Sequence, residues 1–255
     1  MKKSTLAKQS LSTYFISDLH LHPSHPLLFK LFDDFITSII DKAEALYILG
    51  DLFEFWIGDD IIDKPAGEPY LSVLDKLKAL SDSGTSLYFI QGNRDFLAKE
   101  KFAKRIGAKL LSDEKIIDLY GTPTLIMHGD TLCTDDKNYQ RMRFLLRTRL
   151  AQKIYLMQST EKRQRIADKT RNITQNETSK KSAMILDVNQ QQVEKVIKKG
   201  GVGLLIHGHT HRPAEHEFEL DGNLSGNKVK RIVLSDWRDK ASFLEVNQTT
   251  TKIVF

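Results

Sequence analysis

His209 and His211 stand one residue apart after Gly208, at the end of the apolar run Val202-Gly203-Leu204-Leu205-Ile206-His207. In extended chain alternate residues share a side, so both imidazoles face one way, and the glycine leaves room for a close approach. Asp18 and His20 repeat that spacing after Thr13-Tyr14-Phe15-Ile16-Ser17, setting a carboxylate beside an imidazole. Hard oxygen with borderline nitrogen suits Mn, Fe, Zn or Co better than Ca. Three more apolar runs end in comparable groups: Leu49-Gly50-Asp51, Gly92-Asn93-Arg94-Asp95 and His128-Gly129-Asp130. Each alone is an ordinary turn. Together, five strand ends converging on one edge of a sheet predict a two-metal centre with Asp51 as the shared ligand. The amide of Asn93 can complete a metal shell, and the guanidinium of Arg94 can hold a phosphate oxygen with a two-pronged hydrogen bond.

The elements that must carry these groups follow from hydrophobic spacing. Residues 13–17, 45–49, 87–90, 124–128 and 202–207 read as strands, and short strands are expected within 109–119. Residues 27–42, 70–80, 102–106 and 183–199 read as helices, which return the chain for parallel strands. Residues 231–235, 242–246 and 252–255 read as antiparallel strands closing a second sheet. The aromatic loop Phe53-Glu54-Phe55-Trp56-Ile57-Gly58-Asp59-Asp60 either plugs the core or walls a substrate.

From Asp135 the pattern changes for about fifty residues. Met142, Leu145, Leu146, Leu150, Ile154 and Met157 fall on helical stripes among Arg141, Arg143, Arg147 and Lys153. Between residues 137 and 181 lie 13 of the 38 basic side chains but 3 of the 33 acidic ones, so an acidic body carries a basic segment. This reads as an inserted helical cap, giving a core of residues 12–135 and 188–255 with a basic lid at 136–187. A basic, partly apolar cap beside an acidic cleft suits a substrate with phosphate and hydrocarbon parts. Nucleic-acid binding fits less well, because only Tyr139, Phe144 and Tyr155 interleave the charges and no base-reading pattern is visible.

A chain of 255 residues with 40% hydrophobic side chains can bury a full core as one domain with one insertion. The single cysteine, Cys133, excludes an intrachain disulfide framework. The first twelve residues lack an apolar stretch, so no signal peptide is expected, and no window offers the ~20 apolar residues of a spanning helix. The chain is expected to be soluble or to rest on a membrane surface.

In order, Asp18-x-His20, Gly50-Asp51, Gly92-Asn93-Arg94, His128 and Gly208-His209-x-His211 resemble the five-block signature of the calcineurin-like metallophosphoesterases. The resemblance implies an α/β fold, an αββα sandwich of two mixed sheets flanked by helices. It also implies two divalent metals, one held by Asp18, His20, Asp51 and His211, the other by Asp51, Asn93, His128 and His209. His22, His25, His207 and His216 are left at the surface or in support.

Four longer stretches, Gly50 to Asp60, His128 to Asp136, Asp187-Val188-Asn189 and His207 to Pro213, resemble the branch of that family that cleaves the pyrophosphate of UDP-2,3-diacylglucosamine in the lipid A pathway. That resemblance implies a metal-bridging hydroxide as nucleophile and manganese as the usual cofactor. It implies action on a glycolipid nucleotide at the cytoplasmic face of the bacterial inner membrane, with no obligate protein partner. The basic cap is then a lid for acyl chains and phosphates. Substrate contacts fall on Asn93, Arg94, Asp136, Lys181 and His209, with a further one at Tyr139, and catalysis on Asn93, Arg94 and His209. Two lid positions expected as Ser and Asn are here Thr174 and Thr178; the first exchange keeps a hydroxyl, the second loses an amide donor.

Overall fold

The computed structural model describes residues 11–180, 187–220 and 228–255, and for residues 172 and 174–180 the backbone alone. In chain order the strands are β1 (Ser12–Ile16), β2 (Ala43–Ile48), β3 (Ser86–Phe89), β4 (Ala108–Leu110), β5 (Glu114–Leu119), β6 (Thr122–Met127), β7 (Leu204–His207), β8 (Ala214–Glu219), β9 (Lys228–Val233), β10 (Phe243–Val246) and β11 (Thr251–Val254). The α-helices are α1 (Pro26–Ile39), α2 (Leu71–Asp82), α3 (Glu100–Ile106), α4 (Lys137–Leu146), α5 (Arg149–Leu156), α6 (Thr160–Lys180) and α7 (Gln190–Gly200).

Two sheets result, in the orders β11-β10-β1-β2-β3-β4 and β5-β6-β7-β9-β8. Strands β1 to β4 run parallel, linked by α1, α2 and α3. Strand alternation sorts the core into layers. Tyr14 and Ile16 of β1 pack outward against Phe32, Phe35 and Ile36 of α1, while Phe15 joins Ile126, Ile206, Ile232 and Leu244 between the sheets. On the far side Leu125, Met127 and Leu205 meet Val193, Val196 and Ile197 of α7. The layers are therefore αββα, as expected.

Two expectations are corrected. Strands β10 and β11 do not close the second sheet but extend the first, where β10 pairs antiparallel with β1, while β9 lies parallel to β7 in the second sheet beside the unforeseen β8. Glu245 fixes the placement of β10 by accepting hydrogen bonds from the Ser12 hydroxyl (2.9 Å) and the Tyr14 hydroxyl (3.0 Å). Helix α7 begins at Gln190, because the Asn189 side chain accepts from the Gln192 N–H and caps it there.

The aromatic loop resolves towards core. Trp56 and Ile57 are buried, and the Trp56 indole N–H donates to Asp59 Oδ1 at 2.9 Å. Helices α4 and α5 bury none of their residues, and Phe144, Leu150 and Met157 stand 77%, 69% and 75% exposed. The apolar stripes of the cap thus face outward. Helix α6 is anchored instead by Ala167, packed in the core, and by Arg163, whose fully buried guanidinium donates to the Ile57 carbonyl (2.6 Å) and to Asp60 Oδ1 (2.8 Å) and Oδ2 (2.5 Å).

Candidate metal centre

The expected ligands arrive from five strand ends, but from both sheets rather than one: β1, β2 and β3 of the first, β6 and β7 of the second. Immediately past the strands the backbone turns sharply. Asp18, His20, Asp51, His209 and His211 all have φ between 50° and 70°, a left-handed conformation that ordinary residues rarely adopt. Strain of this kind costs of order 1–3 kcal/mol per residue and persists where the surroundings over-determine it. Here they do. Asp18 N–H donates to the Gly50 carbonyl and His20 N–H to that of Asp51, while Asp18 Oδ2 accepts from the His209 N–H at 2.8 Å. Asp51 Oδ1 accepts from the Arg94 N–H at 2.8 Å. Glycine is required where loops touch: a Cβ at Gly208 would overlap Ser17 and Asp18, and one at Gly92 would overlap the Asp51 carboxylate.

The ligand atoms gather in two groups, Asp18 with His20 and His211, and Asp18 with Asp51 and His128. Asn93 joins the second group through Oδ1, 3.0 Å from His128 Nε2, and His209 through its ring, 5.0 Å from that of His128. Asp18, not only Asp51, thus stands between the two halves.

The donor set fits a cation. The Nδ1–H of His128 donates to the Leu49 carbonyl at 2.8 Å, so the neutral ring turns an Nε2 lone pair toward two acceptors, Asn93 Oδ1 and, at 3.7 Å, Asp51 Oδ2; burial opposes a charge on this ring, but Asp51 and Asp18 raise its affinity for a proton in the cation-free cluster. His20 and His211 oppose each other through Nε2 at 3.3 Å. Asp18 Oδ1 and His20 Nδ1 are buried without an aligned hydrogen bond, although His211 Nε2 and Glu54 Oε2 lie 3.3 Å and 3.2 Å away. Convergent acceptors with this geometry repel unless a positive charge sits among them.

In the cation-free cluster protons supply that charge. Burial opposes ionisation of Asp18, yet the close approach and charge of His211 hold it well below the usual carboxylate range. Burial would lower His211, but its contacts with Asp18 at 3.3 Å and Asp236 at 3.4 Å carry it up to about 10. Burial and the neighbouring charge of His128 bring His209 down to about 4. Asp95, fully enclosed beside Asp51, is pushed up to about 7, first by burial and then by that carboxylate.

Sequence reasoning grouped Asp95 with metal-seeking residues; it ties loops instead, accepting from Leu52 N–H and Gly92 N–H at 2.8 Å each. Glu54, one of the residues of the aromatic loop, carries no local signal of a role. It lies 3.2 Å from His20, 3.7 Å from Arg94 and 3.5 Å from Arg171 of α6, so one carboxylate gathers an imidazole and two guanidiniums. Arg94 also lies over the Phe55 ring, 5.0 Å from its centroid, within reach of a cation–π attraction.

Of the expected substrate contacts, Asp136 caps α4 by accepting from the Tyr139 N–H at 3.1 Å. The Tyr139 ring lies 5.9 Å from that of His209, and its hydroxyl donates to Asp130 Oδ2 at 2.9 Å. Thr174 and Thr178 lie on α6. Lys181 falls outside the described residues.

A family model described as calcineurin-like phosphoesterase matches residues 11–213. The chain is 46% identical to a protein of Vibrio parahaemolyticus serotype O3:K6 over 93% of this chain and 95% of that one. It is 43% identical to a protein of Serratia proteamaculans over 96% and 98%, and 43% identical to one of Pseudomonas aeruginosa strain UCBPP-PA14 over 93% and 95%. Each of the three is named UDP-2,3-diacylglucosamine hydrolase.

Proposed function

The chain belongs to the calcineurin-like phosphoesterase family, and from that premise we propose that it hydrolyses the pyrophosphate bond of UDP-2,3-diacylglucosamine, releasing UMP and 2,3-diacylglucosamine 1-phosphate in lipid A biosynthesis. The observation that carries this reading is the identity of 46% over 93% of the chain with a relative of that name. The gathering of all seven candidate ligands supports it: Asp18, His20, Asp51, Asn93, His128, His209 and His211.

The centre would hold two divalent cations, manganese being our assignment, with Asp18, His20, Asp51 and His211 on one side and Asp51, Asn93, His128 and His209 on the other. When bound, such ions supply Lewis-acid activation of water and of phosphoryl oxygens. The protein supplies position and charge. Oxygen from water bonds to one phosphorus as the bond from that phosphorus to the bridging oxygen breaks, and the bridging oxygen leaves on the second phosphate. A phosphate monoester is a weak base, so no strong general acid is required of the protein. Arg94, stationed over the Phe55 ring and drawn by Glu54, offers its N–H groups to the non-bridging oxygens where negative charge gathers. Lys181 would add a second positive charge from the lid, and Asp136, Tyr139, Thr174 and Thr178 the remaining contacts. We take residues 136–187 as that lid.

The lid also supports a place at the membrane surface. Phe144, Leu150, Ile154 and Met157 are exposed beside Arg141, Arg149 and Lys153, and this mixture of apolar and basic groups suits an anionic lipid face. Among the described residues no helix is long and apolar enough to cross a membrane. We place the enzyme on the cytoplasmic face of the bacterial inner membrane.

The test is incubation of metal-stripped protein with UDP-2,3-diacylglucosamine, with and without manganese, with products identified by mass. Metal-dependent release of UMP and the diacyl sugar phosphate is expected. An untouched substrate, alongside cleavage of a simple phosphodiester, would overturn the substrate assignment and leave the family intact.

A further inference from the structure

Arg143 of α4 and Arg147, which caps the C-terminus of that helix, reach beyond the lid to the loops that carry Asn93 and His128. Arg143 places Nε 2.5 Å from Asp130 Oδ2 and Nη2 2.6 Å from Asp113 Oδ2. Arg147, one turn on, places Nη1 2.9 Å from Asp113 Oδ1 and donates through Nη2 to the Gly92 carbonyl at 3.0 Å, with its guanidinium over the Phe96 ring. One core carboxylate, Asp113, therefore holds both. Their side chains are 15% and 16% exposed, whereas Arg141 and Arg149 nearby lie open to solvent.

Each arginine grips a group next to a ligand. The Gly92 carbonyl belongs to the peptide that leads into Asn93, so its orientation sets where the Asn93 side chain begins. Gly92 cannot shift alone, since its N–H donates to Asp95 and its Cα abuts the Asp51 carboxylate. Asp130 follows His128 by two residues and also accepts from the Tyr139 hydroxyl, whose ring neighbours His209. Asn93, His128 and His209 are thus each one contact from α4.

We propose that Arg143 and Arg147 are positioning residues that make the seating of α4 and the cation affinity of the Asn93, His128 and His209 half of the centre a single coupled equilibrium. The inference rests on the metal-centre reading above. Linkage makes it reciprocal: a seated α4 raises cation affinity by the same factor by which the bound cation favours seating.

Full-length protein is titrated calorimetrically with Mn2+, and α4 is probed by limited proteolysis with and without Mn2+. The variants are Arg147→Met, which keeps the stem and loses the donors, and Asp113→Asn, at a side chain 42% exposed, with circular dichroism to check that both keep the fold. Arg163→Met serves as control, because it loosens the lid at α6 without touching either loop. Both Arg147→Met and Asp113→Asn should lose roughly 10-fold in affinity at one of the sites, within the range for partners that orient a ligand, together with Mn2+-dependent protection of α4. Arg163→Met should keep wild-type Mn2+ affinity. Unchanged affinity in both test variants overturns the proposal, as does an equal loss in Arg163→Met, which would make general lid attachment the cause. A wild type that binds no Mn2+ removes the metal-centre reading and this inference with it.

Discussion

The Nδ1–H of His128 is committed to the Leu49 carbonyl at 2.8 Å, and its Nε2 lies 3.0 Å from Asn93 Oδ1, where burial opposes a charge on the ring but the Asp51 and Asp18 carboxylates draw one there. Such an arrangement is held open for a cation. His128→Ala should therefore return about half of the wild-type metal content after dialysis, on the expectation of a two-metal site. Asp51→Ala and Asp18→Asn should lose both ions and turnover. Elemental analysis and steady-state rates check this, and wild-type turnover in Asp51→Ala would exclude the scheme.

The Arg94 guanidinium contacts Glu54 and Phe55, and it is the backbone N–H of this residue, not its side chain, that reaches the Asp51 carboxylate. Arg94→Ala should leave metal content unchanged and lower kcat by about 10²–10³, the usual cost of removing one donor to developing charge. A parallel loss of metal would move Arg94 from substrate to scaffold.

The Arg163 and Asp60 pair gives a pH signature remote from the ligands. Asp60 lies well below the usual carboxylate range, chiefly through hydrogen bonds from Arg163 and, after the opposing effect of burial, from Lys64. A depressed carboxylate stabilises the fold above its unfolded value and loses that contribution as pH falls through the folded one. Asp60→Asn should cost about 2 kcal/mol near neutrality, below the ~3–5 of a fully buried pair, since Asp60 is 41% exposed and screened. Denaturant melts of wild type and variant should converge below the ordinary carboxylate range; a gap that persists there would place the effect in packing.

Leu150→Glu combined with Met157→Glu changes only exposed apolar groups. The pair should weaken binding to anionic vesicles in a flotation assay while sparing hydrolysis of a short-chain substrate analogue. Equal losses in both assays would assign these residues to the substrate groove rather than to the bilayer.

What could be read in advance divides along physical lines. Apolar runs located β1, β2, β3, β6 and β7 and hence every ligand, because those strands are largely buried and the polar groups that follow them stand out. Sheet membership was legible for β9, which joins the second sheet, but not for β10, because the partner that draws β10 into the first sheet lies more than two hundred residues away, as Glu245 with Ser12 shows. Glu54 and Asp95 were visible as residues but not as roles, since a carboxylate that orients an imidazole or staples two loops carries no local pattern. The outward face of α4 and α5 had the same apolar spacing as a buried one, and periodicity alone does not say what covers it.

The antiparallel pairing of β1 with β10 also sets a schedule. Residues 13–15 pair with residues 244–246, so this neighbour of β1 is made more than two hundred residues after it. On the ribosome β2 can dock on one flank of β1 early, but the other flank stays an open edge until β10 has emerged. The sheet that carries Asp18 and Asp51 is thus completed by β10 and β11, and maturation of the centre waits on a segment that contributes none of the seven candidate ligands.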